Sequence, residues 1–241
     1  MGNPILVTGF EPFGDNLTNI SAIVASSLHG EIVRGHLVES LVLPVDHEGA
    51  TSVARMLDRR KFSAVLHIGL AEKSRFPRIE IRAKDVLDFR IPDNSGRFVK
   101  NSVISGDGDL YSTIIPEDWD IENMTCSPII SDDAGEYICN ETLYHTLAKI
   151  DDETPCFFLH LPPEQSNAKD LVLQCLDRML RPACLDVGAG AILSNGKFLA
   201  ARRSPSEKHA GWWEFPGGKF EEGENVSQCL IREINEELEL N

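Results

Sequence analysis

The sequence predicts an α/β protein: a three-layer α/β/α sandwich around a mainly parallel sheet, followed by a partial α/β domain of another kind. Three observations carry this. Short apolar runs bounded by glycine, at residues 5–8 and 64–69, read as interior strands. Stretches of helical spacing fall between such runs, and this alternation builds helices on both faces of a parallel sheet. Beyond Arg181 the pattern changes to a hairpin and one acidic helix.

In chain order, residues 5–8 are the first strand and 20–28 a helix. A second strand candidate lies at 38–43. Residues 48–59 have helical spacing after Asp46, a side chain suited to capping the first turn. Residues 64–69 form the next strand. Residues 91–130, rich in Pro, Gly, Asp, Asn and Ser, read as long loops of the sort that cover an active site. A helix carries Leu143, Leu147 and Ile150 on one face, a buried strand spans 155–160, and a helix over 164–180 closes the unit. Residues 181–184 are then a linker. The runs 185–193 and 197–203 flank Asn195-Gly196 and read as a hairpin. The expected domains are therefore 1–180 and 185–241.

With 241 residues and 42% apolar content, the chain has enough material for a real core. A formal charge of −15 argues against binding nucleic-acid polymers or anionic membranes, which need clustered Lys and Arg. No apolar run approaches the roughly 20 residues of a membrane span, and residues 1–12 lack the pattern of a signal peptide, so the cytoplasm is the expected compartment. The six cysteines have no CxxC spacing, which points to neither a zinc knuckle nor a disulfide framework.

Two segments suggest chemistry. Cys139 directly precedes the amphipathic run and should sit at a helix N-terminus, where unpaired N–H groups and the dipole favour a thiolate. His160 ends the apolar run that begins at Cys156, which could bring an imidazole to the sheet edge beside that thiol. A buried structural cysteine and a satisfied core histidine fit the local pattern equally well.

The stretch Ile5-Leu6-Val7-Thr8-Gly9-Phe10-Glu11-Pro12-Phe13-Gly14, with Asn19, resembles the pyroglutamyl peptidase I family. So do Arg90-Ile91-Pro92-Asp93-Asn94 and the segments around Cys139 and His160, and the likeness covers about residues 4–180. Gap-free spacing from Gly69 to Asn94 places Glu80 at the family's catalytic glutamate. The resemblance implies the same three-layer fold and a thiol-dependent omega-peptidase that removes N-terminal pyroglutamyl residues from peptides. It implies Cys139 as nucleophile, His160 as base and Glu80 as its orienting acid. It further implies Arg90 and the Cys139 N–H at the oxyanion, Phe10, Phe13 and Tyr137 around the substrate ring, Asn19 ordering the first loop, and no cofactor. A homo-oligomer is also implied. The family's Gln and Gly-Gly-Arg are replaced by residues 70–75, so substrate choice is less firmly implied than reaction type.

Residues 213–224 and 232–237 resemble the Nudix box, with a MutT-like Glu-Phe-Pro-Gly-Gly approach; Glu239 stands where that family has Gly. Glu233, Glu236 and Glu237 lie three and four residues apart on one helical face, which suits Mg²⁺. Alone, the Glu-x-x-Glu-Glu pattern reads as a solvated acidic helix. The resemblance implies Gly218, Glu233, Glu236 and Glu237 as the metal set. Because the sequence stops at Asn241, where that helix should end, this domain is expected to be incomplete and inactive. Two rival readings follow: a Mg²⁺-dependent nucleoside triphosphate hydrolase in a longer chain, and a catalytically silent peptidase-like interaction module.

Overall fold

In the computed structural model the described residues are 2–181, 187–203, 211–221 and 224–238, with only the backbone described for 237 and 238. The chain divides into two units, Met1–Arg181 and Pro182–Asn241.

The first unit begins with β1 (Ile5–Phe10), α1 (Ile20–Ser27), β2 (Ile32–Val33), β3 (His36–Leu43), α2 (His47–Leu57) and β4 (Ala64–Leu70). It continues through the short strands β5 (Arg78–Glu80), β6 (Arg82–Ala83), β7 (Leu110–Tyr111) and β8 (Ile129–Ser131) to α3 (Ile138–Leu147), β9 (Cys156–Leu161) and α4 (Ala168–Met179). A seven-stranded sheet runs in the order β2-β3-β1-β4-β9-β5-β8. Strands β3, β1, β4 and β9 are mutually parallel. β5 lies antiparallel to β9 and carries β8 parallel to itself, while β2 folds back on β3.

Every residue of β1 and β9 is buried, as expected of strands covered on both faces. Alternation sorts their side chains. Ile5, Val7, Leu66, Ile68, Phe157, Leu159 and Ile79 pack with α1 and α4. Leu6, Phe10, Val65 and Phe158 point the other way, into a core shared with α2 and α3. The period of two therefore puts His160 on the Phe158 side and both Arg78 and Glu80 opposite Ile79, all on the face that α3 covers.

Asp46 caps α2 by accepting from the Gly49 N–H at 2.9 Å, as its position suggested. The last helix starts at Ala168 rather than 164, because the chain turns through Glu164–Asn167 after Pro162-Pro163 and Asn167 takes the cap position. β7 and most of β8 lie in the segment read as loop, and β5 and β6 in a stretch where the sequence predicts no element. Among the described residues no helix is long and apolar enough to cross a membrane.

In the second unit, β10 (Val187–Ala189) pairs antiparallel with β15 (Gly217–Lys219). β11 (Leu193–Ser194) and β12 (Lys197–Phe198) form the expected hairpin. Asn195 and Gly196 at its tip have φ of 51° and 74°, the left-handed conformation an Asn-Gly turn supplies. β13 (Ala201–Arg202) pairs with β14 (Trp213–Glu214), and α5 (Val226–Leu238) follows. Residues 182–184 of the expected linker and Glu239 lie outside the described residues.

Candidate active site

β4 and β9 end side by side, with Gly69 opposite His160 in their ladder. Cys139 occupies the second position of α3, above that pair. A Cβ built on Gly69 would lie 3.2 Å from Cys139 Sγ and 2.6 Å from the Phe158 ring, so the missing side chain is the space in which the thiol sits. His160 Nδ1 is 2.8 Å from Glu80 Oε1, and both side chains are buried. With a carboxylate as acceptor, Nδ1 carries the proton and Nε2 is left as the basic nitrogen. The His160–Glu80 pair and the Cys139 thiol thus lie near the carboxyl ends of β4 and β9, where sheets of this class form their clefts.

The helix N-terminus does not make Cys139 a thiolate. Burial, and after it the negative charge of Glu80, pushes the thiol up to about 12; its own backbone N–H and Arg78 oppose this weakly. The expectation of a preformed thiolate is therefore corrected. The dipole acts on one side of the sulfur, whereas packing against Gly69 removes water from it, although part of the residue is still reached by solvent.

Phe10, Phe13, Asn19 and Tyr137 gather with Val45, Leu70 and Cys139 around one small cavity of about 10 Å³, roughly the room of a single water. Asn19 caps α1 through the Ser21 N–H at 3.1 Å and donates from Nδ2 to the Glu11 carbonyl at 3.1 Å, which fastens the loop bearing Phe13. Tyr137 donates to the Pro92 carbonyl at 3.0 Å and stands edge-on to Phe89. Arg90 is exposed; it lines a neighbouring cavity that shares Phe13 and Tyr137 with the first.

Arg78 escaped the sequence reading. It pairs with His160 in the β5–β9 ladder, and its Nε lies 3.0 Å from Glu80 Oε1. No periodicity marks a strand of three residues, and only the alternation Arg78, Glu80 signalled that both point one way. Asn140 was missed too. Its side chain accepts from the Lys84 N–H at 2.8 Å and donates to the Lys84 and Val86 carbonyls, joining α3 to the segment after Glu80. Asp85 accepts from the N–H groups of Ile104, Ser105, Gly106 and Gly108 and holds their loop. Two further cysteines, Cys156 and Cys175, are buried in the core with their thiols pushed up by burial.

In the second unit Glu233 packs over Gly218. Arg232 binds Glu233 through Nη1 at 2.8 Å and Glu224 through Nε at 2.8 Å, and Glu236 approaches the same guanidinium at 3.5 Å. That pairing, together with the Glu221 N–H, holds the Glu224 carboxyl down to about 2. The oxygen donors suit a hard cation by type, yet Arg232 already pairs with Glu233 and approaches Glu236, and the Glu237 side chain lies outside the described residues.

Comparison with known proteins finds relatives along the chain. A family model described as pyroglutamyl peptidase matches residues 3–191, and one described as a NUDIX domain matches 185–241. A pyrrolidone-carboxylate peptidase of Deinococcus radiodurans is 36% identical over 174 residues, which is 68% of this chain and 80% of that protein. The crystal structure of pyrrolidone carboxyl peptidase from Thermus thermophilus matches with a TM-score of 0.64 at 34% identity, covering 72% of this chain and 99% of that one. The enzyme of the same name from Thermococcus litoralis matches at 0.67 and 26%, over 74% and 94%.

Proposed function

From the premise that this chain belongs to the pyroglutamyl peptidase family over residues 3–191, we propose that Cys139, His160 and Glu80 hydrolyse the amide bond after an N-terminal pyroglutamyl residue. The carrying observation is the 2.8 Å contact of His160 Nδ1 with buried Glu80, on the sheet face where Cys139 Sγ lies over Gly69.

The chemistry follows from the ionisation. Because the resting thiol is neutral, attack and proton transfer are linked: His160 Nε2 takes the proton as Sγ forms its bond to the carbonyl carbon. Glu80 stabilises the imidazolium that results. The imidazolium then returns its proton to the leaving amine, and water, activated by the same imidazole, cleaves the thioester. Arg90 and the Cys139 N–H are assigned to the oxyanion, with Phe10, Phe13 and Tyr137 as walls of the ring pocket. A cavity of about 10 Å³ cannot hold a pyrrolidone ring, so binding must displace one of these walls. Phe13 is half-buried on the loop between β1 and α1. The reaction needs no cofactor, since thiol, base and dipoles supply every step.

The peptidase is assigned to a domain of residues 1–180, ahead of a linker at 181–184. The second domain, 185–241, is assigned as a partial Nudix unit whose Gly218, Glu233, Glu236 and Glu237 would hold Mg²⁺ only in competition with Arg232. We place the enzyme in the cytoplasm as a homo-oligomer, on the family likeness alone. The decisive experiment is release of a fluorophore from a pyroglutamyl amide in the presence of a chelator. Wild type and Cys156→Ser should be active and Cys139→Ser inactive; an active Cys139→Ser protein removes the assignment.

A further inference from the structure

Next to the ring pocket, a cavity of about 420 Å³ is lined by Arg78, Arg90, Phe13 and Tyr137, with Lys84, Asp88, Asp133 and Glu136 as its other charged groups. Most of these charges are already paired. Lys84 holds Asp133 at 2.9 Å and Glu136 at 3.2 Å, and Asp88 lies 3.1 Å from Lys100. Arg90 is assigned above to the oxyanion. Arg78 Nε is buried without a hydrogen bond, as are Glu80 Oε2 and Asp88 Oδ1: Glu80 Oε1 is the ion-pair partner of Arg78 at 3.0 Å but not in hydrogen-bond geometry, and that oxygen already accepts from His160. Buried polar atoms in folded proteins rarely stay unpaired, and although this Nε is itself covered, the Arg78 side chain is 30% exposed and lines the cavity.

The position of Arg78 says which part of a substrate would do so. The leaving amine takes its proton from His160, so the residue that follows the pyroglutamyl group must lie against His160. Arg78 is directly opposite His160 in the β5–β9 ladder and on the same face of the sheet. When His160 is protonated, Glu80 is drawn to the imidazolium and attracts Arg78 less. Resting on the peptidase reading above, we propose that Arg78 makes this cavity a subsite for an acidic residue, so that peptides with Asp or Glu directly after the pyroglutamyl group are preferred. A guanidinium meeting a carboxylate forms two charge-assisted hydrogen bonds, which an amide of the same shape cannot match. The net charge of −15 opposes acidic peptides at a distance, so the preference is local to this pair.

The test compares kcat/KM for pyroglutamyl-glutamic acid amide and pyroglutamyl-glutamine amide, in which the side chain is the only carboxylate. Wild type should favour the glutamyl substrate by about tenfold. Arg78→Gln should bring the ratio near unity, whatever its overall rate, and Arg78→Lys should keep part of it. As a measurement that needs no variant, glutamic acid amide should inhibit wild type more strongly than glutamine amide. Equal cleavage and equal inhibition in wild type, or an undiminished ratio in Arg78→Gln, overturn the subsite while leaving the peptidase reading intact. Cleavage of neither amide overturns both.

Discussion

Replacing Gly69 by alanine tests whether the space above β4 sets the position of the nucleophile. Gly69 lies within an extended strand that any residue adopts, so the consequence is steric alone. The new Cβ would stand 2.6 and 2.7 Å from two Phe158 ring atoms and 3.2 Å from Cys139 Sγ. To restore an ordinary contact of 3.4 Å the ring must retreat by about 0.8 Å. It cannot do so freely: Phe158 is fully buried, with Phe10 stacked on it at 6.1 Å and the His160 ring 4.7 Å away. The strain therefore passes to the thiol and the imidazole. Overpacking of this kind costs about 1–3 kcal/mol, which for a domain of this size lowers the melting temperature by about 2–4 °C per kcal/mol. The protein should stay folded at room temperature. Displacing the reacting atoms by a fraction of an ångström to one ångström should lower kcat/KM by up to ~10²-fold. Steady-state cleavage of a fluorogenic pyroglutamyl amide, read beside a thermal melt, measures both. A rate within about threefold of wild type and an unchanged melting temperature would show that Sγ and the Phe158 ring have slack, and that Gly69 is not the spacer argued here.

Glu80→Gln should lower kcat by ~10² or more, because an uncharged partner stabilises imidazolium poorly; a near-normal rate would remove Glu80 from the triad. Since the resting Cys139 thiol titrates near 12, its alkylation by iodoacetamide should keep accelerating with pH well above the ordinary thiol value of about 8.5, and a plateau below that would contradict the burial argument. The same shift makes folding less favourable as pH rises. Below about 8.5 both folded and unfolded thiols are protonated, and between there and about 12 only the unfolded one ionises, so stability contributed by Cys139 is lost across that window; Cys139→Ala should make the melting temperature profile less steep there, with Cys156 and Cys175 keeping the remaining slope. Truncation after Arg181 should leave peptidase kinetics nearly unchanged, as every residue assigned to that site lies in the first unit; loss of activity in a folded truncate would assign the second unit a part in it.

The central sheet was legible because its strands are short, apolar and glycine-bounded. Residues 5–10 and 64–70 advertise burial on both faces, and a buried parallel sheet leaves few ways to arrange the helices. Cys139 and His160 were legible as a pair only through their flanking segments. Arg78 was not, since β5 spans three residues and owes its existence to pairing with β9 and β8, partners about 80 and 50 positions away. The ionisation of Cys139 was misread for a related reason. A helix start is visible in sequence, but the depth at which the sulfur is buried depends on Gly69 and Phe158, brought there by strands remote in the chain. In the second unit the acidic spacing was plain, while the capture of Glu224 and Glu233 by Arg232 depends on how α5 meets the turn before it.

What makes the loop-rich segment from Arg82 to Tyr111 able to wall a cleft is the helix that bears the nucleophile. Tyr137 binds the Pro92 carbonyl, and Asn140 binds Lys84 and Val86. Glu141, nearly inaccessible, receives both terminal nitrogens of Arg97, while Arg97 Nε reaches Asp93 at 3.0 Å. One turn further on, Tyr144 donates to the Gly108 carbonyl at 3.0 Å and lies 2.6 Å from the Ser105 hydroxyl. Successive turns of α3 thus hold successive stretches of the same segment, and each of these ties except the exposed one from Tyr137 includes a partly buried hydrogen bond whose loss would leave a partner unsatisfied. The segment also buries Ala83, Leu87 and Phe89 in the core beside α3, so that packing and these bonds order it together. The walls that this segment contributes, Lys84 and Arg90 among them, are therefore tied to the helix that carries Cys139, and a shift of α3 would displace the thiol and these walls together.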